Sequence, residues 1–269
     1  MRSIHMGVAQ IQSKAMDVQG NLSRMHRQIQ AAAVSGVEAI LFAETCIHAY
    51  CLYPENLALA ESLDGAISSQ VSEWAQKYNM TIMAGMLEKS ELGIHNSHIV
   101  ASPAGSVFTV RKHNLTQNEI NAKIVPGQME RTPFDINGVR CGLIICADHG
   151  VAAIYDDIKT KGIEMLFMGT AGGGYRKDYI AETDLAAPEN LLKYIDNRTR
   201  VFIPHAVIPA HEFKLALATA NALGDDGVFM THQGHCLIID RHRIVRAQIP
   251  GTNIADHFLD QMAHAVLYF

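Results

Sequence analysis

Three largely apolar segments of this 269-residue chain each end on a side chain that can do chemistry: residues 39–43 run into Glu44, 106–111 into Lys112, and 141–145 into Cys146. A thiol is the best neutral-pH nucleophile among side chains, provided a neighbour takes its proton and donors hold the oxyanion formed on attack. A carboxylate and an ammonium supply both needs. In this scheme Glu44 is the general base, Lys112 stabilises the tetrahedral oxygen, and Cys146 carries the acyl group as a thioester, with the Ala147 backbone N–H as a second oxyanion donor. Short apolar runs predict strands, and in open α/β architectures ligands bind in the crevice beyond the strands' carboxyl ends. Three reactive groups at three strand ends therefore point to one site.

The elements that must position them alternate along the chain. Helical patterns cover 21–35, 67–78, 152–161 and 188–199, with Gly36 and Gly162 as stops. Strand patterns cover the amino-terminal stretch 1–10, then 39–42, 80–86, 94–101, 106–111, 141–145, 164–169, 201–208, 216–221, 235–240 and 244–249. The pair 94–101 and 106–111 joins through Pro103, Ala104 and Gly105 as a hairpin that delivers Lys112. Helices and strands in both halves predict an α/β fold of two packed sheet layers faced by helices. Neither a low-complexity tract nor an internal period divides the chain, so residues 1–269 are read as one domain.

Composition narrows the function classes. Hydrophobic residues make up 48% of the chain, enough for a substantial core. A formal charge of -5 gives no basic field for nucleic acid or an anionic membrane surface, so a small-molecule partner fits better. The amino terminus lacks the h-region of a signal peptide, and no stretch approaches the ~20 apolar residues of a membrane span, which makes cytoplasm the expected location. Five cysteines at irregular spacing, Cys46, Cys51, Cys141, Cys146 and Cys236, read as reduced; Cys141 and Cys236 lie in apolar runs as small core residues.

The segments Phe42-Ala43-Glu44, Arg111-Lys112-His113-Asn114-Leu115 and Gly142-Leu143-Ile144-Ile145-Cys146-Ala147-Asp148 resemble, in order and spacing, the three motifs of the nitrilase (carbon-nitrogen hydrolase) superfamily. Gly7-Val8-Ala9-Gln10 resembles the family's first strand, and Ala218-Thr219-Ala220-Asn221 with Gly224 its late strand and following turn. The resemblance implies a four-layer αββα sandwich, a homodimer or higher homo-oligomer, and cleavage of non-peptide C–N bonds without metal or organic cofactor. It also implies that Glu44, Lys112 and Cys146 are the catalytic triad, with Glu119 the additional glutamate that positions substrate and lysine. Glu119 fits a helix-capping pattern with Thr116 as well. The chain departs from the family in having Ala43 where proline is usual, and His149-Gly150-Val151 where an aromatic-Pro-Glu run and a helix arginine often follow. Cys146-Ala147-Asp148 also lacks the Cys-Trp-Glu of many nitrile-hydrolysing members, which favours a small linear amide or N-carbamoyl substrate.

Loops after the reactive residues would form the pocket, making Tyr50, Tyr53, Ala147, His149 and Tyr175 the candidate substrate-binding residues. Rival sites are weaker. A papain-like His–Cys pair leaves the strand-end Glu44 and Lys112 unexplained. Metal ligation by His232, His235 and Cys236 is geometrically poor, since adjacent strand residues face opposite ways, and Cys46, His48 and Cys51 offer no better spacing. Gly172-Gly173-Gly174 lacks a phosphate-loop pattern and reads as a pocket loop. Met80, Met83, Met86, Met165 and Met168 read as core filling. The competing class is a non-catalytic relative that keeps the fold as a binding module.

Overall fold

The computed structural model describes residues 1–175, 187–189, 212–225, 230–251 and 259–269. One six-stranded sheet contains β1 (Ser3–Gln10), β2 (Ala39–Leu41), β3 (Thr81–Ser90), β4 (Gly93–Ala101), β5 (Val107–Arg111) and β15 (Gln261–Tyr268), in the order β15-β1-β2-β3-β4-β5. A second contains β6 (Phe134–Ile136), β7 (Val139–Ile145), β8 (Met165–Thr170), β10 (Ala216–Asn221), β13 (Cys236–Ile239) and β14 (Val245–Ile249), in the order β14-β13-β10-β8-β7-β6. The central trios β1-β2-β3 and β7-β8-β10 are parallel, and the flanking strands antiparallel. A small third sheet joins β9 (Gly173–Tyr175), β11 (Leu223–Asp225) and β12 (Met230–Gln233).

Side-chain alternation stacks the layers. Ala39, Leu41, Met83, Leu143, Ile145, Met165, Phe167 and Ala218 form the core between the two large sheets. Their neighbours on the same strands face away: Ile40, Phe42 and Ile82 pack against Leu22, Met25 and Ile29 of α1 (Val18–Val34) and Val71 and Trp74 of α3 (Ala66–Lys77). On the other sheet Ile144, Leu166, Met168, Leu217 and Leu237 pack against Ile154, Tyr155 and Ile158 of α5 (Ala152–Thr160). The central strands are therefore buried on both faces, as runs such as Met165–Thr170 with every residue buried require. This is the expected αββα sandwich. The five methionines read as core filler are all buried, as are Cys141 and Cys236.

Several boundaries differ from the sequence pattern. Helix α1 begins at Val18 rather than 21 because the Asp17 carboxylate caps the Gly20 N–H at 3.0 Å. The Gly173–Tyr175 segment, expected as loop, is strand β9, paired to β12 with Thr231 opposite Gly174. The glycine run makes room for that pairing, since a Cβ at Gly173 would lie 2.5 Å from the Thr231 oxygen. Strand β15 was not expected, although its end, Ala265-Val266-Leu267-Tyr268, is an apolar run; it pairs with β1 over its whole length, and only Leu267 in it is fully buried. The helix expected at 188–199 and the strand at 201–208 lie largely outside the described residues.

Candidate active site

Each reactive residue leaves a strand at the same end of the sandwich. Glu44 follows β2 in a turn that continues through Thr45, at φ 47°. This turn lies directly on β3: a Cβ at Gly85 would come 2.1 Å from the Thr45 nitrogen and 2.6 Å from the Ala43 oxygen. It touches the second sheet as well, through Glu44 N–H to Thr170 O at 3.3 Å. Lys112 follows β5 and donates its N–H to Asn96 O of β4 at 2.8 Å. Cys146 follows β7, opening a single 3-10 turn over Cys146–Gly150 at φ 43°, a left-handed conformation that a side-chain-bearing residue rarely takes.

These three positions converge on a dry charged cluster. The Lys112 ammonium lies 2.7 Å from Glu44 Oε1 and 2.9 Å from Glu119 Oε2, and all three side chains are fully buried. Asn96 donates to both carboxylates, at 2.7 Å to Glu44 Oε1 and 2.6 Å to Glu119 Oε1. The nitrogen donors of Lys112 and Asn96 thus both fall on Oε1, while Oε2 has no hydrogen-bond partner among the described residues. Glu119 lies in α4 (Gln117–Asn121), where its Oε2 accepts the Thr116 N–H at 2.8 Å and the Thr116 hydroxyl at 2.9 Å. The capping pattern and the lysine partnership expected of Glu119 are both present.

Charge and burial set the protonation states. Burial pushes the Glu44 carboxyl up, against the pull of Lys112. Burial works against the Lys112 charge, but the negative neighbours, Glu44 first, outweigh it and hold the ammonium above its ordinary range. The Cys146 thiol is pushed up to about 12 by burial and then by Glu44, while Lys112 and a backbone hydrogen bond from Ala171 pull it down. At neutral pH the cysteine therefore rests as a thiol.

The two halves of the site are tied by Asp148. Its Oδ1 accepts the N–H groups of His113 at 3.0 Å and Asn114 at 2.7 Å, just past Lys112. Its Oδ2 accepts the Ile145 N–H at 3.1 Å, just before Cys146, and pairs with Arg131 at 3.3 Å. Asn114 closes the loop by donating to Ala147 O at 2.8 Å.

Residues 6–182, more than half of the chain, match the family model for carbon-nitrogen hydrolases. The chain belongs to the carbon-nitrogen hydrolase family. It is 23% identical over 190 residues, 70% of its length, to a hydrolase of Pseudomonas protegens, and it spans about two thirds or less of the curated relatives it matches, 66% of this one. Among solved structures it superposes on a carbon-nitrogen hydrolase superfamily protein of Xanthomonas campestris at TM-score 0.79 and 16% identity, covering 100% of this chain and 91% of that one. An amidase from Nesterenkonia superposes at TM-score 0.75 and 18% identity, covering 98% and 90%. These likenesses show a shared fold.

In this member of the carbon-nitrogen hydrolase family the expected pocket residues are placed unevenly. Tyr50 sits against the cluster, with Lys112 Nζ 5.8 Å from its ring centroid and its hydroxyl 3.1 Å from Thr116 Oγ1. His149 belongs to the turn itself, its Nδ1 2.7 Å from the Cys146 carbonyl oxygen. Tyr53 stands farther out, exposed at the start of α2 (Pro54–Leu57). The Tyr175 backbone ends β9, and its side chain lies outside the described part. The rival metal ligands are engaged elsewhere: His48 bonds the Leu59 carbonyl and the Leu87 N–H, and Cys46 faces Met25 and Gly85 O. Sequence reasoning missed Asn96 and Arg131. The polar run His95-Asn96-Ser97-His98 inside an apolar hairpin was the available signal for the first.

Proposed function

We propose that this protein is a cysteine-dependent amidohydrolase that cleaves a small linear amide or N-carbamoyl compound through a thioester on Cys146. The observation that carries this reading is the buried cluster in which Lys112 bridges Glu44 and Glu119 within 2.7 and 2.9 Å while Glu44 Oε2 stays open. In the reaction Sγ attacks the carbonyl carbon as its proton passes to Glu44 Oε2, and Lys112 faces the oxygen that becomes negative. Glu44 then delivers the proton to the departing amine or ammonia, and later draws one from the water that opens the thioester. In a glutamate-to-glutamine mutant of the Nesterenkonia amidase the active-site cysteine carries the acetamide moiety of fluoroacetamide covalently, which supports a nucleophilic cysteine on this fold. The thiol held at about 12 favours a second reading, a binding module with a poorly activated cysteine.

Ammonia release from a panel of primary amides and N-carbamoyl amines separates the two. The amidohydrolase reading expects turnover in the parent, none in Cys146→Ala, and slowed acylation and deacylation in Glu44→Gln, with all three proteins folded at the assay temperature. Steady-state hydrolysis retained by a folded Cys146→Ala would overturn it.

A further inference from the structure

Asn221 ends β10, and its fully buried side chain makes every hydrogen bond that an amide can make. Its Oδ1 accepts the Thr170 hydroxyl at 2.9 Å and the Gly172 N–H at 2.8 Å, while its Nδ2 donates to Gly172 O at 3.0 Å and Gly234 O at 2.6 Å. Two acceptor and two donor contacts leave the amide one orientation. Three of the four grip the residues on either side of Ala171, in the short link between the end of β8 at Thr170 and the start of β9 at Gly173.

That link meets both reacting residues of the proposed chemistry. The Ala171 N–H donates to the Cys146 sulfur, and Thr170 O accepts the Glu44 N–H at 3.3 Å. Asn221 spends none of its four bonds on Cys146 or Glu44 themselves. A hydrogen bond weakens steeply once its donor swings out of line, so the Ala171 N–H steadies charge gathering on sulfur only while the backbone around it is held. The peptide that carries this N–H is pinned at its carbonyl end, where Thr170 O also accepts the Ala222 N–H at 3.0 Å. The peptide that follows is pinned by Asn221 through the Gly172 N–H. Removing the amide takes the partner from the Gly172 N–H and the Gly172 carbonyl at once.

We infer that Asn221 is a positioning residue of the proposed reaction, holding the Ala171 N–H on the Cys146 sulfur and so setting how readily that sulfur attacks. The inference rests on the amidohydrolase reading for its reaction, but its test needs no turnover. Iodoacetamide alkylates a reachable thiol, forming an Sγ–C bond, expelling iodide and releasing the thiol proton to solvent. Cys146 is the one partly exposed cysteine of the five and the other four are buried, so labelling of the native protein reports on it. Its rate is followed by peptide mass mapping across the neutral pH range and normalised to glutathione.

Asn221→Ala is expected to lower the Cys146 rate about tenfold at each pH, the scale of a lost hydrogen bond to a charged group, which displaces the pH–rate curve upward by about one unit. Its Tm falls as well, so a control is needed that loses stability elsewhere. Val71→Ala, a cavity-forming change in α3 on the outer face of the first sheet, lowers Tm and keeps the parent's pH–rate curve. Thr170→Val removes one of the four contacts while keeping the side chain's shape, and it slows labelling by about threefold, which keeps the test in force should Asn221→Ala not fold. A folded Asn221→Ala or Thr170→Val reacting at the parent rate, a Val71→Ala slowed as much as Asn221→Ala, or no labelling of Cys146 in the native parent would each overturn the assignment. Slowed labelling as expected, with no ammonia release from any amide, would uphold the positioning and reject the amidohydrolase reading alone. Turnover in the parent with labelling indifferent to Asn221→Ala would do the reverse.

Discussion

Replacing Arg131 with methionine tests how the segments around Lys112 and Cys146 are held together. Arg131 is the largest fully buried side chain described; only 1% of it is exposed, and its partner Asp148 is completely buried. Burial lowers the pKa of the guanidinium, so it persists on its contacts: Asp148 Oδ2 at 3.3 Å, Met129 O at 2.9 Å, and Gln128 O. Breaking a buried pair from one side costs about 3–5 kcal/mol because a charge is left without compensation. Asp148 keeps three backbone N–H donors in Arg131→Met, which places the loss near the lower end, about 3 kcal/mol. At about 2–4 °C per kcal/mol for a chain of this size, Tm falls by roughly 6–12 °C. Urea unfolding should show a lower midpoint with unchanged slope. Asp148→Asn should cost a similar amount, and the double variant clearly less than the two losses added, because the second change removes the charge that the first left unpaired. An Arg131→Met loss below about 1 kcal/mol, within reach of an ordinary surface substitution, or an additive cycle would refute the buried-pair reasoning.

Gly85→Ala drives a methyl group into the backbone of the Glu44 turn, and it should cost about 1–3 kcal/mol as overpacking and cut amide turnover further than the stability loss explains; a variant with parent stability and activity would refute the close approach. Acid should destabilise the protein before its carboxylates titrate. His48, His98 and His235 are buried with pKa lowered from 6.5 to about 4, so between those values the unfolded chain binds more protons than the folded one. Stability is then full above pH 6.5 and is lost as pH falls toward 4, by up to about 1.4 kcal/mol per pH unit for each histidine; a flat urea midpoint from pH 6.5 to 5 would contradict this. Glu119→Gln keeps the helix cap but strips Lys112 of its second carboxylate, and kcat on a primary amide should fall about 10²-fold, the scale of a lost electrostatic stabiliser; an unchanged kcat would exclude that role.

What could be read from sequence was what local pattern determines. The runs before Glu44 and Cys146 are apolar because β2 and β7 are interior strands buried on both faces, whereas the run before Lys112 is edge strand β5, located by its hairpin with β4. The helix cap of Glu119 was visible because a capping box has fixed spacing, whereas its placement beside Lys112 was expected only from the family resemblance. Arg131 was not visible, because it sits in a loop with no periodicity and its partner, Asp148, comes from beyond β7. Asn96 was hidden differently: its position on β4 was predicted, but only the pairing of β4 with β5 and the packing of β3 beneath the Glu44 turn bring its amide between two carboxylates. The apolar run Ala265-Val266-Leu267-Tyr268 was the available signal for β15, but its pairing with β1, far away in sequence, is something no local pattern reports.

The charge count of the cluster explains why one lysine needs two glutamates in the proposed reaction. With Lys112 charged, both carboxylates ionised and Cys146 a thiol, the buried cluster carries one net negative charge. Ionising Cys146 to solvent would make it two in a site from which all three partner side chains are excluded from water, which is the direction in which burial and Glu44 push the thiol. Passing the proton from sulfur to Glu44 instead leaves the total unchanged, and the same burial that disfavours the thiolate raises Glu44 as an acceptor. Neutral Glu44 no longer compensates Lys112. At that moment Glu119, 2.9 Å away and locked by Thr116, is the carboxylate that keeps the ammonium charged while it faces the developing oxyanion. The two glutamates thus divide the labour: Glu44, with an open oxygen, takes the proton, and Glu119, held by its helix cap, stays in place beside Lys112.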